Sequence, residues 1–276
     1  MNTGVRGKEG GVSVVLPTYN SAKHLSACLE TLKRQTYPPL EVLVVDNHSA
    51  DATQQVAQSF GAKVIAHRGT QASARNRGIE EATGEFVFFV DSDQRLEPEV
   101  VASCVQLCTG QGVDAVKIPE EFVGVNFWGK CSALWKNTMV TAWGVNGGIP
   151  RFYRRDVLVR QAAFHDELRW WEDMELYGRL KTSQLKVAWS AGRVLHSEAD
   201  SPQNAVRKYL SYGESIVSFT ENHAEAPYKG TLKLTLSTLM RLLRSSGSSL
   251  SVLVGCLFLV TVKSLSATLG FLSRLK

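Results

Sequence analysis

The chain has 276 residues, 44% hydrophobic and 21% charged, which is the balance of a globular protein able to bury a sizeable core. Seven of its 31 Lys and Arg residues follow Ala226 and none of its 26 Asp and Glu residues do, so the net charge of +5 belongs to the tail. The body before it, with 24 basic against 26 acidic groups and no basic-aromatic groove, excludes a nucleic-acid partner.

Val12 to Leu16 reads as a short β-rich run that Pro17 stops. Ser21 is placed to cap a helix whose apolar positions Leu25, Cys28, Leu29 and Leu32 follow helical spacing, and Tyr37-Pro38-Pro39 ends it. Glu41 to Val45 is the second strand, followed by Asp46-Asn47-His48-Ser49-Ala50-Asp51 and a helix through Phe60. Lys63 to Ala66 is a third strand, Ala72 to Ala82 a helix, and Phe86 to Val90 a strand of five apolar residues. Strands separated in this way by helices indicate a mostly parallel sheet with right-handed crossovers, an α/β fold. Pro98 to Leu107 is expected as a helix and Ala115 to Ile118 as a strand. Phe127 to Gly148 is aromatic and Gly-rich, with Trp128, Trp135, Trp143, Gly144, Gly147 and Gly148, and its assignment stays open. A helix is expected to start near Glu172, and Leu185 to Ala191 returns as a strand before His196.

Four polar groups fall at strand ends or on the elements that follow: Pro17-Thr18-Tyr19-Asn20, Asp46 with Asp51, Arg75-Asn76-Arg77-Gly78, and Asp91-Ser92-Asp93. The carboxyl edge of an open α/β sheet is where ligands bind. Asp91 and Asp93, one residue apart, repel each other unless a cation lies between them or one takes up a proton. Carboxylate oxygens suit Mg²⁺ or Mn²⁺. A helix cap or turn after the strand is the competing reading of the same three residues.

The ordered set VSVVLPTYN, EVLVVDNHSAD, ASARNRGIEEATGEFVFFVDSD and WWEDMEL resembles the inverting family 2 glycosyltransferases, over about Val12 to His196. The resemblance implies the GT-A, or nucleotide-diphospho-sugar transferase, fold. Its nucleotide-binding half would be about residues 11–118 and its acceptor half about 119–200, within a domain of residues 1–225. It implies a nucleotide-sugar donor, UDP before GDP, and Mn²⁺ or Mg²⁺ as cofactor. By the same resemblance Pro17, Thr18 and Tyr19 would lie against the base and ribose, and Asp46 would accept a hydrogen bond from the base. Arg75 would approach the diphosphate, Asp91 the ribose or metal-bound water, and Asp93 would ligate the metal. Arg154-Arg155 resembles a segment that approaches the diphosphate, and His196 a residue that completes the metal shell. Glu172-Asp173 supplies the catalytic acids, with Asp173 aligned to the general base that takes the proton of an acceptor hydroxyl. The competing reading is that both acids complement the dipole of a helix start. The family often carries Asp-Asp-Gly-Ser where this chain has Asp46-Asn47-His48-Ser49, and Gly-Gly-Phe-Asp-Glu where it has Ala163 to Glu167, departures that bear on base selectivity and on packing.

The five cysteines form no CxxC pair and read as core thiols of a reducing compartment. No apolar signal-peptide region precedes the first strand, so the body is expected in the cytoplasm. Residues 226–276 form a basic, acid-free tail whose Leu250 to Val262 core is uncharged and is followed by Lys263. It reads as a membrane-associated helix at the cytoplasmic face, with a spanning helix and a buried or homodimer-forming helix as the other options. The expected acceptor is a glycan, polyprenyl-linked or otherwise membrane-proximal. Two other functions were weighed. A sugar nucleotidyltransferase would want a Gly-rich basic loop where Pro17-Thr18-Tyr19-Asn20 stands. A silent glycan-binding scaffold would not need intact Asp91, Asp93 and Asp173.

Overall fold

The computed structural model describes residues 7–143, 148–161, 163–198, 200–222, 238, 241, 242 and 249–274. The chain divides into two compact units, Met1–Pro119 with Ile149–Leu195, and Glu120–Gly148 with His196–Lys276. This division cuts across the sequential halves expected from the sequence.

The first unit opens with β1 (Lys8–Thr18), α1 (Ala22–Lys33), β2 (Glu41–Asp46), α2 (Thr53–Ser59), β3 (Lys63–Ala66), α3 (Gln71–Glu81) and β4 (Gly84–Phe89). It continues through β5 (Gln94–Leu96), α4 (Val100–Gln111) and β6 (Ala115–Lys117). The second unit interrupts with β7 (Glu120–Gly124) and α5 (Phe127–Trp143). The chain then returns to the first unit with β8 (Pro150–Arg154), α6 (Arg155–Arg160), α7 (Glu172–Thr182) and β9 (Val187–Trp189). β10 (Val194–Glu198) carries it back to the second, which closes with α8 (Pro202–Asn222) and α9 (Leu250–Arg274).

The sheet of the first unit has the order β3-β2-β1-β4-β8-β6-β9. Its first four strands are parallel, β8 is antiparallel to both β4 and β6, and β6 runs parallel to β9. The continuous apolar runs of β1, β2 and β4 follow from burial on both faces. Val12, Val14 and Leu16 pack with Leu25, Leu29 and Leu32 of α1 and Val101 and Val105 of α4. On the other face Val15, Val45 and Phe89 pack with Ala72 and Ile79 of α3, Leu158 of α6 and Leu176 of α7.

Two local expectations need correction. β1 does not stop before Pro17, which stays in register with Val45 of β2. Val15 O accepts from Val90 N, so residues of odd number in β1 turn their polar groups toward β4. β4 pairs with β1 only as far as Val15↔Phe89, and the N–H that proline lacks would have met no strand there. Ser21 stands at the start of α1 without capping it. The Asp51 carboxylate does so instead, accepting from Ala22 N at 3.1 Å, while Thr53 Oγ1 accepts from Ser21 N at 2.7 Å. The open segment after Phe127 is helical through Trp143, and Gly144 and Gly147 lie outside the described residues. All five cysteines are free and buried.

α3 approaches the sheet at Gly78, where an added Cβ would run into Val15 Cγ1. Gly78→Ala is therefore expected to destabilise the protein by about 1–3 kcal/mol through overpacking. The urea midpoint would fall with no change in slope; an unchanged midpoint would show that α3 can shift freely.

Candidate functional site

Thr18, Asp46 and Ala66 lie side by side across β1, β2 and β3, so the turns after them share one edge of the sheet. Asp46 is completely buried there. One oxygen accepts from Thr18 Oγ1 at 3.0 Å and Ser49 Oγ at 2.5 Å, the other from Ser49 N at 3.0 Å and Gln54 Nε2 at 2.7 Å. Those four bonds use the acceptor capacity of the carboxylate. Asp46 therefore organises the β1 and β2 turns and offers no oxygen to a ligand, which corrects the expectation that it reads a base. Burial pushes its pKa up, but the bonds from Ser49, Gln54 and Thr18 outweigh burial and hold it below the usual carboxylate value. The two turns are also tied by Asn20 N to Ser49 Oγ at 2.8 Å and by Ala50 N to Asn20 Oδ1 at 2.8 Å. Asn20 and His48 both take positive φ, 49° and 53°, which makes these turns tight. Thr18 is buried in the edge and Pro17 half-buried, whereas Tyr19 stands 64% exposed at its rim.

Beyond β4, Asp91 and Asp93 flank a turn, both half-buried. Gln94 Oε1 accepts from Asp91 N at 3.0 Å and Asp91 O from Gln94 N at 3.0 Å. The Asp91 carboxylate meets two guanidinium groups, Arg151 Nη1 at 3.1 Å and Arg75 Nη2 at 3.4 Å, and Gln71 Nε2 stands at 3.4 Å. Arg75, only 3% exposed, extends from α3 and lies against the rings of Phe89 and Phe164, which pack edge to face. Its Nη1 donates to Glu172 Oε1 at 2.5 Å, and its buried Nε meets no hydrogen-bond acceptor among the described residues. Arg75 is thus a bridge between two carboxylates, where the sequence led us to expect an open, phosphate-directed guanidinium. Burial pushes the Glu172 carboxyl up, against the pull of the Arg75 charge.

Glu172 and Asp173 open α7, whose N-terminal neighbour Trp171 takes a left-handed φ of 70°. Glu172 is buried, so of the two acids only Asp173 is open enough to meet a substrate. Asp173 Oδ1 accepts from Met174 N at 2.8 Å, and its charge, after burial itself, helps to push the Tyr153 phenol of β8 up. Within α7 Glu175 forms a two-point pair with Arg179 at 2.6 and 3.0 Å, and Arg179 also donates to Gln161 O and Ala163 O, which ties the helix to the segment before it. The segment before α7 is clamped by Asn76, which donates to Phe164 O and to Asp166 Oδ1, both at 2.7 Å, and accepts from Phe164 N at 3.0 Å.

Arg155 is not part of this group. Its Nε approaches Ile79 O at 3.4 Å, and Arg154 pairs with Glu85 at 2.9 Å, at the opposite end of β4. The reason is the reversal of β8. Because Phe88 pairs with Phe152 and Phe86 with Arg154, the residue that reaches the carboxyl end of β4 is the earlier Arg151. No strand is expected from the sequence at residues 150–154, so the reversal is not legible there. His196 belongs to the second unit, where its ring stacks on Phe122 at 5.1 Å. Lys136, paired with Glu198, lies 4.6 Å over the same Phe122 ring. Among the described residues no three His, Cys, Asp or Glu side chains gather as a metal site. The carboxylate oxygens of Asp91 and Asp93 are nonetheless the donors that a hard divalent cation takes.

Residues 13–164 match the sequence profile of the family described as Glycosyl transferase family 2. Glycosyltransferase AglE of Haloferax volcanii is 37% identical over 124 residues, 42% of this chain and 41% of AglE. Poly(ribitol-phosphate) beta-N-acetylglucosaminyltransferase TarS of Staphylococcus aureus is 30% identical over 177 residues, 58% of this chain and 30% of TarS. The chain thus spans about two fifths or less of the length of these relatives. Among solved structures, mannosyltransferase PcManGT from Pyrobaculum calidifontis in complex with GDP-Man and Mn²⁺ has a TM-score of 0.61 at 20% identity, covering 96% of this chain and 86% of its own. S. aureus TarS 1–349 in complex with UDP-GlcNAc has a TM-score of 0.55 at 19% identity, covering 93% and 81%. The shared fold is the GT-A fold expected from the sequence.

Two outcomes follow from the site. Arg75→Met leaves Glu172 charged and buried without its partner, at a cost of about 3–5 kcal/mol, and adding Glu172→Leu is expected to restore most of it. Denaturant unfolding of the three proteins reads this, and a double variant no better than the single would remove the pair as the cause. For Asp46 the folded pKa is depressed, so its stabilisation is complete above the ordinary carboxylate pKa of about 4 and is lost as pH falls below it. Asp46→Asn should flatten the acid limb of stability against pH; an unaltered limb would contradict the assignment.

Proposed function

The chain belongs to glycosyl transferase family 2, and from that premise we propose that it transfers a sugar, with inversion, from a nucleotide-sugar donor to a hydroxyl group of an acceptor. The donor would lie along the edge formed by the turns after β1, β2 and β4, with the base against exposed Tyr19. UDP is favoured over GDP by the UDP-GlcNAc complex of TarS, while the GDP-Man complex of PcManGT keeps GDP in view.

The observation that carries this reading is the Arg75 bridge. Through it Asp91 at the end of β4 and Glu172 at the start of α7 share one guanidinium, and Asp173 follows Glu172 directly. An acid is thereby held beside the edge where the donor's diphosphate would leave. Asp173 takes the proton of the acceptor hydroxyl as its oxygen bonds to the anomeric carbon. The bond from that carbon to the diphosphate oxygen breaks on the opposite face, and the electron pair leaves with the nucleoside diphosphate. Attack opposite the leaving group inverts the anomeric centre. Arg151 supplies positive charge where the leaving group gains negative charge. Asp93, with Asp91, would hold Mn²⁺ or Mg²⁺, which when bound would neutralise the diphosphate. Glu172 acts on the reaction only by positioning its neighbour.

The acid-free, basic tail and the apolar α9 support an acceptor carried at the cytoplasmic face of a membrane, such as a polyprenyl-linked glycan.

The test is calorimetric titration with UDP and GDP, with and without Mn²⁺, on the wild type and on Asp173→Asn. Nucleotide binding that needs the metal and survives Asp173→Asn is expected, while transfer assayed with the bound nucleotide's sugars falls about 10²–10⁴-fold. Near-normal turnover by Asp173→Asn would remove it as the base. Binding of neither nucleotide would remove the donor reading.

A further inference from the structure

The second unit contains a charge that its apolar helix ought not to tolerate. α9 is long and apolar enough to cross a membrane by length and composition alone, yet Lys263 sits in its middle. The side chain is buried, and its ammonium donates to Asp200 at 2.9 Å and to Ser132 Oγ of α5 at 2.8 Å. It also lies 5.4 Å over the Tyr209 ring of α8. Burial pushes its pKa down while the Asp200 pair opposes that shift.

The backbone contacts agree with this inward orientation. A Cβ at Gly270 would run into Leu210 O, and one at Gly213 into Ala267 O, so α8 and α9 cross with their backbones close together. The buried positions Gly255, Cys256, Leu259, Lys263, Ser266 and Gly270 make one face of α9, packed on α5 and α8. Leu250, Val254, Phe258, Leu265, Leu269 and Leu272 are exposed, from 49% to 75%. At about 100° per residue these six fall within a single arc, and Lys263 lies half a turn away from its centre.

We propose that α9 lies in the plane of an anionic membrane surface, with the Leu250–Leu272 stripe facing the acyl chains and Lys263 locked inward on Asp200. A spanning helix would present all of its faces to lipid or to membrane-buried protein, whereas half of this one is engaged by the helices of a globular unit. An in-plane helix needs an apolar face and gains from positive charge beside it. Apart from the inward Lys263, residues 226–276 supply six basic groups and no acid, which favours an anionic lipid surface over a second copy bearing the same charge. The inference rests on the membrane-proximal acceptor proposed above and fixes how the chain meets that surface.

Flotation of the full chain with vesicles of phosphatidylglycerol and phosphatidylcholine tests it, with phosphatidylcholine alone for comparison. The expected result is co-flotation with the anionic vesicles, release by alkaline carbonate, and at least a tenfold loss of bound protein in Phe258→Glu with Leu265→Glu. These stripe positions are exposed, and an unchanged circular dichroism spectrum would show that the variant folds. Lys263→Met with Asp200→Leu removes the lock. Its helix should resist carbonate more than the wild type does, because nothing then fixes its rotation.

Retention of the wild type through carbonate would overturn the in-plane geometry and leave the membrane reading standing. Absence of flotation, with a light-scattering dimer that Phe258→Glu disrupts, would give the stripe to a second copy. Metal-dependent nucleotide binding is measured on the same preparations, so failure of this inference is told apart from failure of the transferase reading.

Discussion

A single buried guanidinium holds the first unit's chemistry in place. Arg75 leaves α3 where Gly78 lets that helix approach the sheet, lies against Phe89 and Phe164, and ends on Asp91 and Glu172. Two carboxylates from segments about eighty residues apart are thereby held by one cation, at a point where water screens little. A charge pair of this kind contributes little net stability against an apolar replacement, but it is geometrically demanding. Its value to the protein lies in registration. The turn after β4 and the first residue of α7 cannot move apart without stranding a charge.

The edge around that bridge is built from carboxylates that serve the protein before they serve any ligand. Asp46 spends both oxygens on the turns of β1 and β2, Asp51 caps α1, and Glu175 holds the Arg179 guanidinium that ties α7 to Gln161 O and Ala163 O. What remains for substrate is a smaller set, in which Asp91, Asp93, Asp173, Arg151 and Tyr19 stand partly open. Acidic residues at a sheet edge thus divide by the donors that surround them. Those saturated by backbone amides and hydroxyl groups are scaffold. Those left half-open are candidates for chemistry.

The parallel half of the sheet was legible because its signals are local. Runs such as Val12–Leu16 and Phe86–Val90 are buried on both faces, and punctuation by turn residues sets their ends. What the sequence concealed depends on partners far along the chain. Pro17 reads as a strand stop unless it is known that β4 has already ended beside it. Ser21 reads as a cap unless Asp51 is seen to supply one. Arg155 entered only through the family resemblance of Arg154-Arg155, and Arg151 is not legible because no strand is expected at Pro150–Arg154, whose antiparallel course decides which of its ends meets the edge. Arg75 was found as a residue but not as a bridge, since its second partner lies beyond the reach of any local pattern.

The second unit is assembled from two stretches separated by the return of the chain to the sheet. α5 is made first, and the helix that covers it, α9, follows more than a hundred residues later. At about 5–20 residues per second, the apolar side of α5 waits on the order of ten seconds for its cover. Through that interval Ser132 has no Lys263 to meet, and Asp200 no cation. The Lys263 contact therefore marks when this unit can close as well as where α9 lies, and the nascent chain has an interval in which a chaperone or a lipid surface can reach the uncovered helix.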